Sequence, residues 1–275
     1  MSGFVIGLAL LAAVLHATWN AFLRTGTDRL WTVTVMSFSS TIIAAPAAFF
    51  FPLPAHAAWL FIVFSAILQV GYSFFLVAAY RLGELGQVYP VVRGSVPLLV
   101  TFGGLCFAHQ TLTFTQSAGV LLVAFGIMSL SLGKGRAPTK SIFYAVATGA
   151  VIASYATVDA IGVRRAENST SYIIWVLIIY GALLPAAYLA HRRSLTIDFK
   201  SGDTRKAFVG GVVALIGYGL VTAAFALGPA GPITAIRETS VVFAAIIGRL
   251  FLQEKLTTRR VAACIVVVAG AVCIG

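Results

Sequence analysis

The chain has 275 residues, 60% of them hydrophobic and only 10% charged, with a formal net charge of +11 and a mean hydropathy of +0.98. That balance excludes an ordinary soluble domain, and the long apolar runs exclude a membrane β-barrel, whose strands alternate apolar and polar residues over short segments. Cys106, Cys264 and Cys273 lie in apolar runs without CxxC spacing, so neither a disulfide framework nor a zinc site is expected.

Ten apolar runs follow one another along the chain, at roughly 3–23, 30–51, 58–80, 87–108, 114–132, 141–162, 171–190, 206–227, 232–252 and 258–275. Each is near the ~20 residues that a helical membrane span needs. The first, "GFVIGLALLAAVLHATWNAFL", has no charged residue before it and no small-residue cleavage site after a short apolar stretch; it is read as a span and not as a signal peptide. The entry to the fourth, "AAYRLGELGQVYPVVRGSVPLL", carries Gly86, Pro90 and Pro97, and the entry to the ninth, "AAFALGPAGPITAIRETSVV", carries Pro229 and Pro232. Such residues free backbone groups, which a membrane tolerates only against protein or a water-filled cavity, so these five positions are the expected helix hinges. "NST" at 168–170 matches a glycosylation acceptor, but a three-residue match carries little weight.

The positive charge follows a pattern. Arg24, Arg29, Arg81, Lys134, Arg136, Lys140, Arg192, Arg193, Lys200, Arg205, Lys206, Lys255, Arg259 and Arg260 all sit in odd-numbered connections, whereas the even ones hold only Arg164 and Arg165. By the positive-inside rule the odd connections face the cytoplasm and both termini lie on the extracytoplasmic side. The basic balance therefore reports orientation in a lipid bilayer and not a nucleic-acid partner.

The chain also repeats itself. "HATWNAF" (16–22) lines up with "YATVDAI" (155–161), Pro46 with Pro185, "VGYSFFLVAAY" with "IGYGLVTAAF", Arg93 with Arg237, and "LTFTQSAGVLLVAFGI" with "LTTRRVAACIVVVAGA". Five helices are written twice, and because five is odd the second copy must cross the membrane in the opposite sense. The expected fold is all-α and integral to the membrane: ten transmembrane helices as two inverted five-helix repeats, 1–135 and 136–275, around a central cavity. The "LG" break before spans four and nine and "LFLQEKLTTRRVAACIVVVAGAV" (250–272) resemble the drug/metabolite transporter superfamily, specifically its ten-helix EamA family. That resemblance implies a basket in which spans 1, 3, 4, 6, 8 and 9 enclose the cavity, spans 2 and 7 pack outside, and spans 5 and 10 form a supporting pair. It also implies export of amino acids or other small metabolites, or movement of sugar nucleotides, phosphate esters or drugs.

Charged groups within the runs are Arg93, Asp159, Arg237, Glu238 and Arg249. Each costs at least ~2.5 to 3.5 kcal/mol at the bilayer centre unless it finds water, a partner or an interface. Arg93 and Arg237 sit about 8 Å from their predicted helix starts at ~1.5 Å per residue, which leaves two readings: snorkelling to the headgroups, or turning inward. In the inward reading Asp159 pairs with Arg237 at the outer mouth, Asn20 with Arg93 at the inner one, and Glu238 turns about 100° away toward Arg249 or water. The expected cavity residues are His16, Trp19, Asn20, Gln69, Tyr72, Tyr80, Tyr89, Tyr155, Tyr218 and Thr222, an apolar lining with hydrogen-bonding tips. His16 is open to two roles, hydrogen-bonded packing and proton carriage. In smaller members of the superfamily that it resembles an essential glutamate stands mid-way along the first helix; none stands there here, so facilitated export and proton antiport are both open.

The reading that results is an exporter of amino acids, aromatic or otherwise apolar and neutral, or of similar small metabolites across a bacterial inner membrane by alternating access. It would act as a monomer, without cofactor or metal. The alternatives are a proton-coupled exporter of drugs or other metabolites, and a non-transporting lipid-flippase subunit. No HExxH, GxSxG or paired carboxylate suggests an enzyme.

Overall fold

The computed structural model describes residues 1–25, 28–82, 85–131, 138–251 and 257–275, with the side chains of residues 24–25, 79–82, 85–88 and 251 outside that description. It is all helical, with no strand among the described residues. Among the described residues eleven α-helices follow in chain order: α1 Gly3–Thr25, α2 Arg29–Ala47, α3 Trp59–Leu82, α4 Leu85–Phe107, α5 Phe114–Met128, α6 Thr139–Arg165, α7 Ser169–Arg192, α8 Gly202–Leu227, α9 Ala230–Arg237, α10 Ser240–Phe251 and α11 Thr258–Ile274. The first eight and α11 correspond to predicted spans; α9 and α10 together make the ninth. Among the described residues nine segments are long and apolar enough to cross a membrane, counting Ala230–Leu250 as one. α11, with 17 residues, stands at the short end of the ~17 to 25 that suffice.

The molecule exposes large apolar side chains and buries polar ones within a largely apolar core. Phe49, Phe102, Phe114, Phe125 and Phe143 are exposed, while Ser65, Thr148, Thr222 and Thr234 have no accessible surface. An apolar surface suits a chain whose solvent is hydrocarbon, and with its long apolar helices the protein is a multi-pass membrane protein. In that solvent apolar burial does not hold helices together; close packing and interhelical hydrogen bonds do. α2 shows both. Ser40 Oγ donates to the Gly211 carbonyl at 3.0 Å, Ser39 Oγ to the Phe208 carbonyl at 3.3 Å, and Thr41 Oγ1 to the Leu177 carbonyl at 3.1 Å, joining α2 to α8 and α7. α5 and α11 meet at two glycines, where a Cβ on Gly119 would come within 2.6 Å of the Gly270 carbonyl and one on Gly270 within 2.8 Å of the Gly119 carbonyl.

The ends of the bundle are tied by like-numbered connections. In the odd set, Arg192 pairs with Asp28 at 3.4 Å and Trp31 Nε1 donates to the Thr196 carbonyl at 3.0 Å. In the even set, Ser171 Oγ donates to the Pro52 carbonyl at 2.7 Å and Ala230 N to Gln110 Oε1 at 2.9 Å. Asn168 of the "NST" match accepts from Ser171 N at 3.0 Å, the N-cap of α7.

The break in the ninth span does not fall at a proline or glycine. α4 is continuous through Pro90 and Pro97; Pro229 is the N-cap of α9 and Pro232 falls in its first turn, where a missing N–H costs nothing. Gly86 lies outside the described side chains. The interruption instead falls at Glu238 and Thr239, which contain neither proline nor glycine. There Glu238 N, Thr239 N and Val242 N bond three residues back, to Ala235, Ile236 and Thr239 carbonyls, and Thr239 Oγ1 donates to the Ile236 carbonyl at 2.7 Å. A tightened turn of this type, with a side chain competing for the helix carbonyls, often marks a functional hinge. Residues 230–240 are buried throughout, so protein and not lipid faces the irregular backbone, as a membrane interior requires.

Candidate functional site

The polar interior is built from α1, α3, α4, α6, α8 and the junction of α9 with α10, with Tyr172 and Tyr180 entering from α7. Arg93, Asp159, Arg237 and Glu238 are 6%, 1%, 7% and 1% exposed. Their burial decides against snorkelling: all four turn inward. Arg249, by contrast, is exposed on α10.

Asp159 is held by two phenols. Tyr172 OH donates to Oδ1 at 2.9 Å and Tyr218 OH to Oδ2 at 3.0 Å, joining α6, α7 and α8 at one carboxyl group. Tyr172 reaches it by crossing Gly162, one turn along α6, where a Cβ would meet the Tyr172 hydroxyl at 2.7 Å. Ser65, whose Oγ accepts from Gln69 Nε2 at 3.0 Å, adjoins the same carboxyl from α3. Tyr218 in turn neighbours Thr222 and Gln69.

The second cluster is an ionic triad. Glu238 lies between two guanidinium groups, with Arg93 Nε 3.2 Å from Oε2 and Arg237 Nη2 3.2 Å from Oε1. The expected pairs, Asp159 with Arg237 and Asn20 with Arg93, are therefore not the contacts made. Asn20 Nδ2 donates to the His16 carbonyl of its own helix at 2.8 Å, and Glu238 faces Arg93 and not Arg249. The difference has two physical causes. A rotation of 100° per residue applies to an unbroken helix, and the helix stops at Arg237. The helices also begin two residues earlier than predicted, at Leu85 and Ala230, so Arg93 and Glu238 each stand roughly 12 Å inside at ~1.5 Å per residue. Arg93 and Glu238 thus meet at a similar distance along their two helices.

Between the clusters stand half-buried side chains: His16, Trp19 and Asn20 of α1, Tyr72 of α3, Tyr89 of α4, Tyr155 of α6 and Tyr218 of α8. Tyr72 and Tyr155 meet edge to face at 6.0 Å, and the Arg93 guanidinium lies 5.7 Å from the Tyr89 ring. Tyr155 is within electrostatic reach of Arg93, Arg237, Asp159 and Glu238 alike. Trp19 Nε1 donates to His16 Nδ1 at 3.2 Å. That bond requires an unprotonated Nδ1, so the imidazole is neutral with its proton on Nε2. Tyr80 lies outside the described side chains.

Sequence reasoning missed Tyr172, Tyr180 and Gly162. Tyr180 OH and Ser73 Oγ are 3.3 Å apart, linking α7 to α3. Both tyrosines belong to α7, a span expected to pack outside, and nothing in their spacing separates them from interfacial anchors. Away from this centre, a groove of about 470 Å³ between α3, α4 and α6 is lined by Leu60, Phe64, Phe102 and Phe107, all exposed; its chemistry is that of lipid chains. Among the described residues no group of three or more His, Cys, Asp or Glu is placed to hold a metal.

Comparison with known proteins adds three findings. The model of the EamA-like transporter family matches residues 139–275. A solved chain described only as the crystal structure of a protein superposes with a TM-score of 0.75, covering 98% of this chain and 94% of its own, at 18% identity; at that identity it speaks to the fold alone. No curated protein sequence matches the chain.

Proposed function

The chain belongs to the EamA-like transporter family, and from this we propose that it exports amino acids, aromatic or otherwise apolar and neutral, or similar small metabolites across a bacterial inner membrane. Transport proceeds by alternating access about the polar interior between α1, α3, α4, α6, α8 and the α9/α10 junction. The observation that carries the reading is the interruption of the ninth span at Glu238 and Thr239, near the middle of Ala230–Leu250 and beside buried charge. Discontinuous helices meeting near the membrane midplane are where secondary transporters place substrate.

The division into two inverted halves, 1–135 and 136–275, draws support from the packing. Exchanging α1 with α6, α2 with α7, α3 with α8, α4 with α9/α10 and α5 with α11 turns the α3/α6 contact into α8/α1, α4/α6 into α9/α1 and α3/α7 into α8/α2, all of which are made. The α2/α7, α4/α9 and α5/α11 contacts map onto themselves. A twofold scheme of this type gives two related conformations, each opening one side.

The test is counterflow in proteoliposomes preloaded with individual neutral amino acids, with and without a pH difference across the bilayer. Accumulation of at least one labelled amino acid above protein-free liposomes is expected, with the solute recovered unchanged. Failure of every amino acid, together with transport of a cationic drug or phosphate ester, overturns the substrate class. Acceleration by the pH difference assigns proton antiport; indifference to it assigns facilitated export.

A further inference from the structure

We propose that the groove between α3, α4 and α6 is a binding site for one anionic phospholipid, with an acyl chain lying along the groove and the headgroup phosphate on Arg165. The site stands on the lipid-facing wall of the bundle, apart from the polar interior, so the inference does not depend on which solute that interior carries.

Chain order fixes where the groove stands. Leu60 and Phe64 belong to the first turns of α3, Phe102 and Phe107 to the last turns of α4, and Ala153 and Ile161 to the second half of α6. α3 begins after the second connection, α4 ends at the fourth and α6 at the sixth, so all three walls belong to the even-numbered end of the bundle. Along α6 the lining runs from Ala150 to Ile161, about 16 Å at ~1.5 Å per residue. One leaflet of hydrocarbon, half of the ~30 Å core, is about 15 Å deep, so the groove is as long as one leaflet is thick. Its volume of about 470 Å³ falls within the ~300 to 1,000 Å³ usual for a small-molecule site. The walls suit a hydrocarbon chain: Leu60, Phe64, Phe102 and Phe107 are exposed, and Ser154 turns its hydroxyl to the Ala150 carbonyl of its own helix at 2.8 Å.

Charge marks one end of the groove. Arg165, the last residue of α6, stands four residues, about 6 Å, beyond Ile161 and holds its guanidinium 4.7 Å from the ring of Phe61, itself a lining residue. It is exposed and forms no ion pair among the described residues. The adjoining Arg164 is engaged, donating to the Phe225 carbonyl at 3.0 Å and to the Gly228 carbonyl at 2.6 Å. Arg164 and Arg165 are the Lys and Arg complement of the even connections, so an anion at this end of the groove has Arg165 to meet. A guanidinium fork matches phosphate oxygens, and above an apolar slot one leaflet deep the phosphate at hand is that of a phospholipid. An anionic headgroup neutralises the guanidinium, whereas a zwitterionic one brings its own cation. A second copy of the chain is the other occupant such a groove can take, but a twofold contact through this face brings two Arg165 groups together and supplies neither with an anion.

The experiment places the full chain in nanodiscs of equal parts phosphatidylglycerol and phosphatidylcholine with identical acyl chains, and counts by native mass spectrometry the lipid that stays on the protein when the disc is stripped away. Phosphatidylglycerol is expected to stay about fivefold more often, the ratio that one arginine contributes at a membrane surface. Arg165→Gln should abolish the preference and leave phosphatidylcholine unchanged, and Arg165→Lys, which keeps the charge without the planar fork, should fall between. Ser154→Phe fills the groove and should lower retention of both lipids. Arg165 and Ser154 are both exposed, so the fold survives these changes. Equal retention of the two lipids by the unaltered protein overturns the proposal, as does a preference indifferent to Arg165→Gln or phosphatidylglycerol retention indifferent to Ser154→Phe. Displacement of the lipid by glycerol phosphate overturns it too, since a free phosphate ester would then be the ligand. A dimer that Ser154→Phe dissociates overturns it in favour of a second copy.

Discussion

Glu238 has two buried guanidinium groups within 3.2 Å, and its removal should cost more than removal of either partner. Glu238→Gln removes the carboxylate that both guanidinium groups share, a loss of about 3 to 5 kcal/mol. Arg237→Gln retains one intact pair and should cost markedly less, an order that thermal unfolding in detergent will check. Asp159 offers a finer comparison. Tyr172→Phe and Tyr218→Phe each remove one hydrogen bond to a carboxyl group, worth roughly 1.5 to 3 kcal/mol if it is ionised. Gly162→Ala pushes the Tyr172 ring off α6 and so breaks the same bond as Tyr172→Phe. The double variant should therefore be no less stable than Gly162→Ala alone, a non-additivity seen only when two changes act on one contact. At this scale the residue types were legible before the contacts were. Arg93, Asp159, Arg237 and Glu238 stand out as charges in apolar runs, but their pairing depends on helix starts two residues earlier and a break that no proline announces.

At the level of helices, α9/α10 and the α5/α11 pair behave in opposite ways. The α9/α10 junction holds its backbone by three-residue bonds and a threonine hydroxyl, an arrangement that can be remade cheaply. α5 and α11 touch through Gly119 and Gly270 with backbone oxygen within 3 Å of any added Cβ, so they have no room to shift. Spin labels at Leu227 and Arg249, which flank the junction and are both exposed, should change separation when a transported solute is added. Gly270→Val should instead cost about 1 to 3 kcal/mol through overpacking, read as a lower midpoint of thermal unfolding. Proline did not announce the break: Pro97 is buried within a continuous α4, whereas the ninth span is interrupted at Glu238, whose carboxylate meets Arg93 and Arg237.

The whole molecule is organised by which end of the bundle each connection joins. Odd connections touch odd ones, through Asp28 with Arg192 and Trp31 with Thr196, and even connections touch even ones, through Ser171 with Pro52 and Ala230 with Gln110. Basic residues concentrate in the odd set. With the native cysteines replaced, single cysteines at Arg193 and Arg259 should react with an impermeant maleimide only from the cytoplasmic side, and those at His109 and Glu167 only from the other. Labelling of Arg193 and Arg259 from opposite sides would reject both the orientation and the two inverted halves.

By itself the sequence determined that the chain lives in a membrane, where nearly every helix lies, and which charges stand within apolar runs. Those properties follow from local composition, since a run of ~20 apolar residues has one stable place to go. Tertiary structure alone decided that Glu238 joins Arg93 to Arg237, that Tyr172 and Tyr218 hold Asp159, and that the ninth span divides at its middle. Such pairings join residues up to 145 positions apart. They depend on the depth and rotation of whole helices, quantities that the periodicity of one segment does not contain.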